Sequence, residues 1–421
     1  MLSGAKHLFN NLETLRLSAQ GDMLAKYMHP DFIKPRYDSG GFAGIPNRIK
    51  EAFASKKYDA VVLFFIDAFG WRFFERFQDA PFVKRVAKYG SIEKLTSQFP
   101  STTSAHVTTI HTGIPVGQSG VHEWYYYEPL VDRVIAPLLF SYSDNTKWRD
   151  TLVKKVKPEA LYPKGTLYPE LKAMGVESFY YGSREYTPST YSKVVMQGSE
   201  IASYKTLSEA FINIGMRLEK QTTPAYLHLY FDRIDGIAHE YGPTAPQTEA
   251  EIETFLLMME NYFDRVFGGK KRILFLMTAD HGMCEVDPQT TVYLNTDKNF
   301  TGVERFIRKN KRGRLIVPAG SARDMFMYIK PGMEDEAQGF LSKRLEGRAD
   351  VVKTEALISA GYFGEEVSDR FLERVGNLVI LPYRYESVWW YEKDKFEQRF
   401  YGHHGGLTPQ EMETVLYSLE V

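Results

Sequence analysis

The chain has 421 residues, 43% hydrophobic and 25% charged, which places it among packed globular proteins and excludes a disordered one. Its 52 basic and 53 acidic side chains leave a formal net charge of −1. Nothing global therefore draws it to nucleic acid or to an anionic membrane, and an anionic partner has to be held by a local site.

Residues 1–45 predict an N-terminal arm. Its start, "MLSGAKHLFNNLETLRLSAQ", lacks the apolar core of a secretory signal. No apolar run in the chain approaches the roughly 18 residues that span a bilayer. Cys284 is the single cysteine, which excludes an intramolecular disulfide and suits a reducing compartment. A cytoplasmic protein with no membrane partner is the expectation. The arm ends in "SGGFAG", read as a flexible turn.

Next comes "YDAVVLFFIDAFGW", a short continuous apolar run over Val61–Ile66 closed by Asp67. Such a run fits a strand buried on both faces of a parallel sheet. "FPSTTSAHVTTIHTG" follows at Phe99–Gly113, a crowd of hydroxyls around a Pro and before a Gly. These are capping residues of a helix start, or one of them is a nucleophile. Residues 123–200, rich in Tyr and Pro, predict an insertion over one sheet edge.

Further apolar runs lie in "PAYLHLYFDRID", leading to Asp232 and Asp235, and in "KRILFLMTADHG", ending at Asp280 and His281. A fourth, "GNLVILPY", spans Gly376–Tyr383. Amphipathic stretches at Leu207–Leu218 and Thr248–Phe267 read as helices between them. Alternating strands and helices predict an α/β fold with a mainly parallel central sheet. Residues 292–372 hold "RDMFMYIKP", a helical pattern near Glu334–Leu345 and "ADVVKT", a strand–helix–strand unit read as a small inserted α+β lobe. The catalytic α/β domain is then 46–291 with 373–421. The basic run Arg308–Arg314 reads as a solvated loop, with an arm toward an anionic substrate as the sharper alternative.

In an open α/β sheet, ligands bind beyond the carboxyl ends of the strands. Three of the four apolar runs place acids there, and single acids at such positions are ordinarily turn or cap residues. Asp235 and His239 are four apart, on one face of a helical turn, where a carboxylate and an imidazole can chelate one ion. Asp280 and His281 are adjacent, and both reach one ion only where the strand breaks, a break that Gly282 supplies. His403 and His404 lie in "GHHGGLTPQEM", a Gly-rich turn before a capping box at Thr408 and Glu411.

Together these residues resemble the alkaline phosphatase superfamily, most closely its type I phosphodiesterase/nucleotide pyrophosphatase branch. Five blocks carry the resemblance in the family's order: "FIDAFGW", "FPSTTSAHVTTIHTG", "DGIAHEYGP", "ADHGM" and "HHGGLTPQEM". The resemblance implies the superfamily's central sheet and a site with two divalent metal ions, Zn²⁺ above Mn²⁺ or Fe. Asp67, Thr103, Asp280 and His281 would hold one ion, and Asp235, His239 and His404 the other. Counted back from Gly113, the nucleophile falls on Thr103 rather than Thr102, and the Gly after His404 favours it over His403. Two divalent ions and three aspartates leave a net +1, suited to an anionic ester.

The implied reaction is in-line hydrolysis of a phosphodiester or pyrophosphate through a phospho-threonine, with a small phosphate ester or nucleotide as partner. A phosphomonoesterase or phosphonate hydrolase on the same site is the alternative. A silent phosphatase-fold binding protein is the alternative from another class. Nucleotide-specific relatives follow the nucleophile with Phe and place a phosphate-binding Asn downstream. Here Ser104 follows, and Trp124 stands near the Asn position. Trp124, Arg72 and His106 are the further candidates for substrate or supporting roles. Trp124 either stacks a substrate group or packs beneath the insertion.

Overall fold

The computed structural model describes residues 28–145, 148–269 and 271–421. Most of the arm predicted for 1–45 lies outside the described residues. The part described, 28–44, is pinned to the body: Ile33 N–H donates to Leu407 O at 2.8 Å and Arg36 N–H to the Thr96 hydroxyl at 2.8 Å. The "SGGFAG" turn is packed rather than loose. A Cβ on Gly41 would lie 1.8 Å from Arg36 O, so glycine is there because two backbones touch, and Phe42 beside it is fully buried.

A seven-stranded sheet forms the centre. Its order is Ser91–Thr96, Glu413–Glu420, Ile273–Thr278, Ala60–Ile66, Ala225–Phe231, Glu177–Ser183, Glu200–Tyr204. All strands run parallel except the C-terminal one, which pairs antiparallel with both neighbours. Every residue of Ala60–Ile66 and of Ala225–Phe231 is buried. Alternate side chains of one strand feed two cores. Val62, Phe64 and Ile66 pack under the helices Leu207–Lys220 and Pro246–Phe267, while Val61, Leu63 and Phe65 pack with Val107 and Ile110 of the helix Thr103–Thr112. Burying each such side chain contributes about 1.5–3 kcal/mol, so the sheet is the rigid base on which the site is mounted.

Two sequence expectations need correction. Residues 123–200 do more than cover an edge: Glu177–Ser183 is a strand of the sheet itself, and Glu200–Tyr204 beside it forms the edge. The part that inserts is a three-stranded meander of Tyr126–Glu128, Arg133–Ala136 and Ser141–Tyr142. The run Leu378–Pro382 is not a strand of the main sheet. It is the central strand of a small antiparallel sheet, between Met325–Met327 and Ala349–Lys353, and so belongs with the segment 292–372 rather than with 373–421. Its two faces are both covered, Leu378 and Ile380 by one cluster and Val379 and Leu381 by another. That double burial erases the alternation that marks an antiparallel strand. The helix Glu334–Arg344 packs on this small sheet, as the strand–helix–strand pattern predicts.

Candidate active site

Three adjacent strands in the middle of the sheet deliver the acids. Ile273–Thr278, Ala60–Ile66 and Ala225–Phe231 lie side by side in register, Phe65 opposite both Tyr230 and Thr278. Their carboxyl ends release Asp280 with His281, Asp67, and the helix Arg233–Tyr241 that carries Asp235 and His239. The helix Thr103–Thr112 brings Thr103 as its first residue, and the loop before the C-terminal strand brings His404.

Two groups of side chains result, Asp67 with Asp280 and His281, and Asp235 with His239 and His404; in each, the ligating atoms lie within 4.8 Å of one another. In the first, His281 Nε2 is 3.5 Å from Asp67 Oδ1 and 3.3 Å from Asp280 Oδ2, and Thr103 Oγ1 lies 3.3 Å from the same nitrogen. In the second, Asp235 Oδ1 is 3.4 Å from His239 Nε2 and 3.7 Å from His404 Nε2. The rings of His281 and His404 stack with centroids 3.6 Å apart, which joins the two groups into one site.

The supporting hydrogen bonds fix what each group presents. Nδ1 of His239, His281 and His404 faces the backbone carbonyls of Gly402 (2.7 Å), Gly282 (2.9 Å) and Ser101 (2.9 Å). A carbonyl only accepts, so each Nδ1 carries the proton and each Nε2 is a bare lone pair. Those lone pairs point at carboxylates. Asp280 Oδ1 accepts from the N–H groups of Ala68 and His281, at 3.1 and 3.0 Å, and Asp67 Oδ2 accepts from the Tyr230 hydroxyl. Asp67 Oδ1, Asp235 Oδ1 and Asp280 Oδ2 are buried with no hydrogen-bond partner among the described residues.

Acceptors facing acceptors in a dry site repel unless a cation lies between them. The titration of the groups expresses the same conflict. Burial pushes Asp280 up to about 7 and Asp235 up to about 8, and burial with the charges of Asp280 and Asp235 holds Asp67 well above the usual carboxylate range. Burial pushes His239 down to about 4 and holds His281 and His404 well below the usual imidazole value. A divalent cation in each group satisfies the orphaned oxygens and the bare nitrogens together, so the donor set fits two metal ions.

The other sequence candidates separate. His106 is buried behind the site. Its Nδ1 donates to Thr102 O at 2.7 Å and its Nε2 accepts from Gln98 N–H at 2.9 Å; Ser97 Oγ, 2.9 Å from that nitrogen, donates to Asp280 O at 2.7 Å. It therefore ties the start of the Thr103 helix to the strand end that holds Asp280. Arg72 is not brought to the two groups. It pairs with Glu75 and Glu413 and lines a separate hollow beside Gly282 and Gln410. Trp124 is at the site and 37% exposed, not packed away beneath the meander. His403 sits beside His404, but its Nδ1 meets only the His404 backbone. The basic run at Arg308–Arg314 forms a turn pinned to Asp132.

Sequence reasoning misses three features. Tyr230, the partner of Asp67, is one more aromatic of a buried strand until strand register sets it opposite Phe65. Glu411 reads as a capping residue and is one, yet it also pairs with the wholly buried Arg323. Glu123 and Asp324 are buried carboxyl groups near Thr102, and burial holds both above the usual carboxylate range.

The type I phosphodiesterase/nucleotide pyrophosphatase family model matches residues 61–407. Among solved structures, mouse ectonucleotide pyrophosphatase/phosphodiesterase 5 is similar at a TM-score of 0.62 and 16% identity, covering 85% of this chain and 87% of that one. An inactive threonine-to-alanine variant of the mouse protein in complex with AMP is similar to the same extent. Phosphonoacetate hydrolase from Sinorhizobium meliloti is similar at a TM-score of 0.60 and 16% identity, covering 85% of this chain and 89% of that one. No curated protein sequence matches significantly. Among the described residues no helix is long and apolar enough to cross a membrane. With the family match spanning most of the chain and the fold agreeing with it, this protein belongs to the type I phosphodiesterase/nucleotide pyrophosphatase family of phosphoric ester and anhydride hydrolases.

Proposed function

We propose that this protein hydrolyses phosphodiester or pyrophosphate bonds of the nucleotide type, by in-line attack of Thr103 and a phospho-threonine intermediate. The observation that carries the reading is the set of bare histidine Nε2 atoms aimed at partnerless aspartate oxygens around the Thr103 hydroxyl. Asp67, Asp280, His281 and Thr103 would hold one divalent cation, and Asp235, His239 and His404 the other; three carboxylates and three imidazoles suit Zn²⁺, with Mn²⁺ or Fe next. Such ions lower the pKa of a hydroxyl they bind and stabilise charge on phosphoryl oxygens.

The chain supplies the rest. Thr103 opens a ten-residue helix whose N-cap, Thr102, makes no side-chain cap hydrogen bond, which leaves first-turn N–H groups for the non-bridging oxygens. The Thr103 hydroxyl lies 3.3 Å from His281 Nε2, so its oxygen sits within reach of the cation that this histidine would hold. The three histidines and Asp280 are held from behind by backbone groups and Asp67 by the Tyr230 hydroxyl, so most of the site is set before substrate arrives. The lone cysteine, Cys284, is buried and free, in keeping with a reducing, cytoplasmic setting.

The test is hydrolysis of bis-(p-nitrophenyl) phosphate, p-nitrophenyl phosphate and phosphonoacetate by protein loaded with Zn²⁺ or Mn²⁺. Diester turnover should exceed the other two. Thr103→Ala should fold and lose about three orders of magnitude or more in kcat, while Thr102→Ala stays active. Thr103→Ala within tenfold of the parent sinks the nucleophile. Phosphonoacetate as the best substrate moves the reading to a phosphonate hydrolase, the activity in the name of one structural neighbour.

A further inference from the structure

The basic run Arg308–Arg314 is a hairpin that projects from the small antiparallel sheet. Its base is fixed there: Phe306, Ile307 and Ile316 are buried, and Arg308 N–H donates to Tyr328 O at 2.7 Å. Its arms close on each other, Lys309 opposite Leu315, with Asn310 N–H donating to Arg314 O at 2.8 Å and Gly313 N–H to Asn310 O at 2.9 Å. Its flank is tied to the turn of the meander, where Asp132 O accepts from the Asn310 amide at 3.1 Å and Asp132 Oδ2 from Lys311 N–H at 2.9 Å. These bonds give the segment a defined shape, unlike a loosely solvated loop. Its charge is unmatched. Arg308, Lys309, Lys311, Arg312 and Arg314 are all exposed, and none forms an ion pair among the described residues. Elsewhere exposed or half-buried arginines meet carboxylates, as Arg85 meets Glu260 and Arg217 meets Glu200. The one carboxylate against the hairpin, Asp132, is already engaged by the Tyr127 hydroxyl and Lys311 N–H. Two residues from Asp132, in the same meander turn, Leu130 is 59% exposed.

We propose that this hairpin and Leu130 form a docking surface for an anionic lipid membrane. Cations held on a rigid hairpin meet negative headgroups, and the leucine beside them enters the headgroup boundary; the two contributions add where either alone gives weak attachment. A strand rises about 3.3 Å per residue, so the base of the hairpin lies about 10 Å behind its tip. At a Debye length of about 8 Å, Lys311, Arg312 and Arg314 therefore carry most of the attraction. The same screening makes the overall charge of −1 no obstacle. Lipid is favoured over nucleic acid because neither turn contains an aromatic ring on which a base could stack, and because an exposed leucine has no contact to make with a phosphate backbone. The chain lies on such a membrane and does not cross it, in keeping with the lack of a spanning helix among the described residues. None of these residues lines the cavities around Thr103, so the surface needs neither the nucleophile nor the metal-holding groups.

The experiment is co-sedimentation of the full chain with vesicles of phosphatidylcholine alone and of phosphatidylcholine mixed with phosphatidylserine, with the thermal unfolding midpoint of each variant as the check on folding. Binding should require phosphatidylserine and fade between about 0.1 M and 1 M salt, as the Debye length falls from about 10 to about 3 Å. Each basic side chain close to such a surface contributes about fivefold, so Lys311→Gln with Arg312→Gln should lower the partition coefficient about 25-fold. Leu130→Ser should lower it about fivefold at low salt. No binding to the phosphatidylserine vesicles at low salt overturns the proposal, as does a double variant that keeps its unfolding midpoint and binds like the parent. An oligonucleotide that binds the parent at least as tightly as the vesicles, with no response to Leu130→Ser, also overturns it and assigns the hairpin to nucleic acid.

Discussion

Removing the metal should expose the cost of burying three carboxylates, and the cost has a defined pH window. In metal-free protein Asp235 is pushed up to about 8 and Asp280 up to about 7, whereas the unfolded chain ionises both near 4. An acid whose folded pKa is raised destabilises the fold increasingly as pH climbs from its unfolded to its folded pKa, and the loss then levels off. At about 1.4 kcal/mol per pH unit, Asp235 loses about 2 kcal/mol between pH 6.5 and 8, Asp280 adds a smaller loss between 6.5 and 7, and Asp67, held well above the usual carboxylate range, adds in the same direction. The buried histidines, all shifted down, titrate below this window and do not disturb it. Glu123 is also pushed up to about 8, but it titrates with or without metal, so the difference between the two forms isolates the site. The assay is thermal unfolding of chelator-stripped and metal-reloaded protein at pH 6.5 and 8.5. The stripped form should lose stability relative to the reloaded form by at least about 2–3 kcal/mol over that interval, or roughly 3 °C or more in Tm for a chain of this size. A stripped-minus-reloaded difference that is flat, or that shrinks as pH rises, refutes the cation-holding reading of these aspartates.

Gly282→Ala should lower metal content and activity together, since its Cβ would lie 2.2 Å from Gln410 O and the turn presenting His281 has to move; full metal occupancy by elemental analysis would contradict this. Arg72→Ala should leave kcat/KM within about twofold, because its ion pairs with Glu75 and Glu413 are partly exposed and lie off the site, and such pairs contribute at most about 1 kcal/mol. Arg374→Met should destabilise by about 3–5 kcal/mol in denaturant titration, since it strands the buried Glu128 carboxylate and the carbonyls of Gly120 and Leu161; adding Glu128→Gln should recover part of the loss.

The parallel sheet and the acids of the two candidate metal-holding groups are legible in the sequence for one reason. Strands buried on both faces read as unbroken apolar runs, and the residue that ends such a run sits where ligands bind. The same cue misplaces Leu378–Pro382, whose small sheet is also covered on both faces, because an apolar run carries no information about which sheet it enters. Trp124 is visible as an aromatic, but its exposure at the site depends on where the meander folds back. The Tyr230 contact to Asp67 depends on register between strands more than 150 residues apart.

What holds the histidines is harder still to read, since any residue offers a backbone carbonyl and no side-chain pattern names the one that a given Nδ1 will find. Yet this too leaves a trace, in glycines. Gly402, whose carbonyl holds His239, approaches Ala238 so closely that a Cβ would fall 2.3 Å from its oxygen, and Gly282, whose carbonyl holds His281, meets Gln410 O at 2.2 Å. Gly405, directly after His404, has φ +128° and would drive a Cβ to 2.5 Å from Ser321 Oγ. Each of these three histidines thus stands beside a chain crossing that only glycine permits. The glycines within "DHG" and "GHHGG" are the sequence record of how the imidazoles are locked with Nε2 bare, the arrangement on which the proposed cation sites rest.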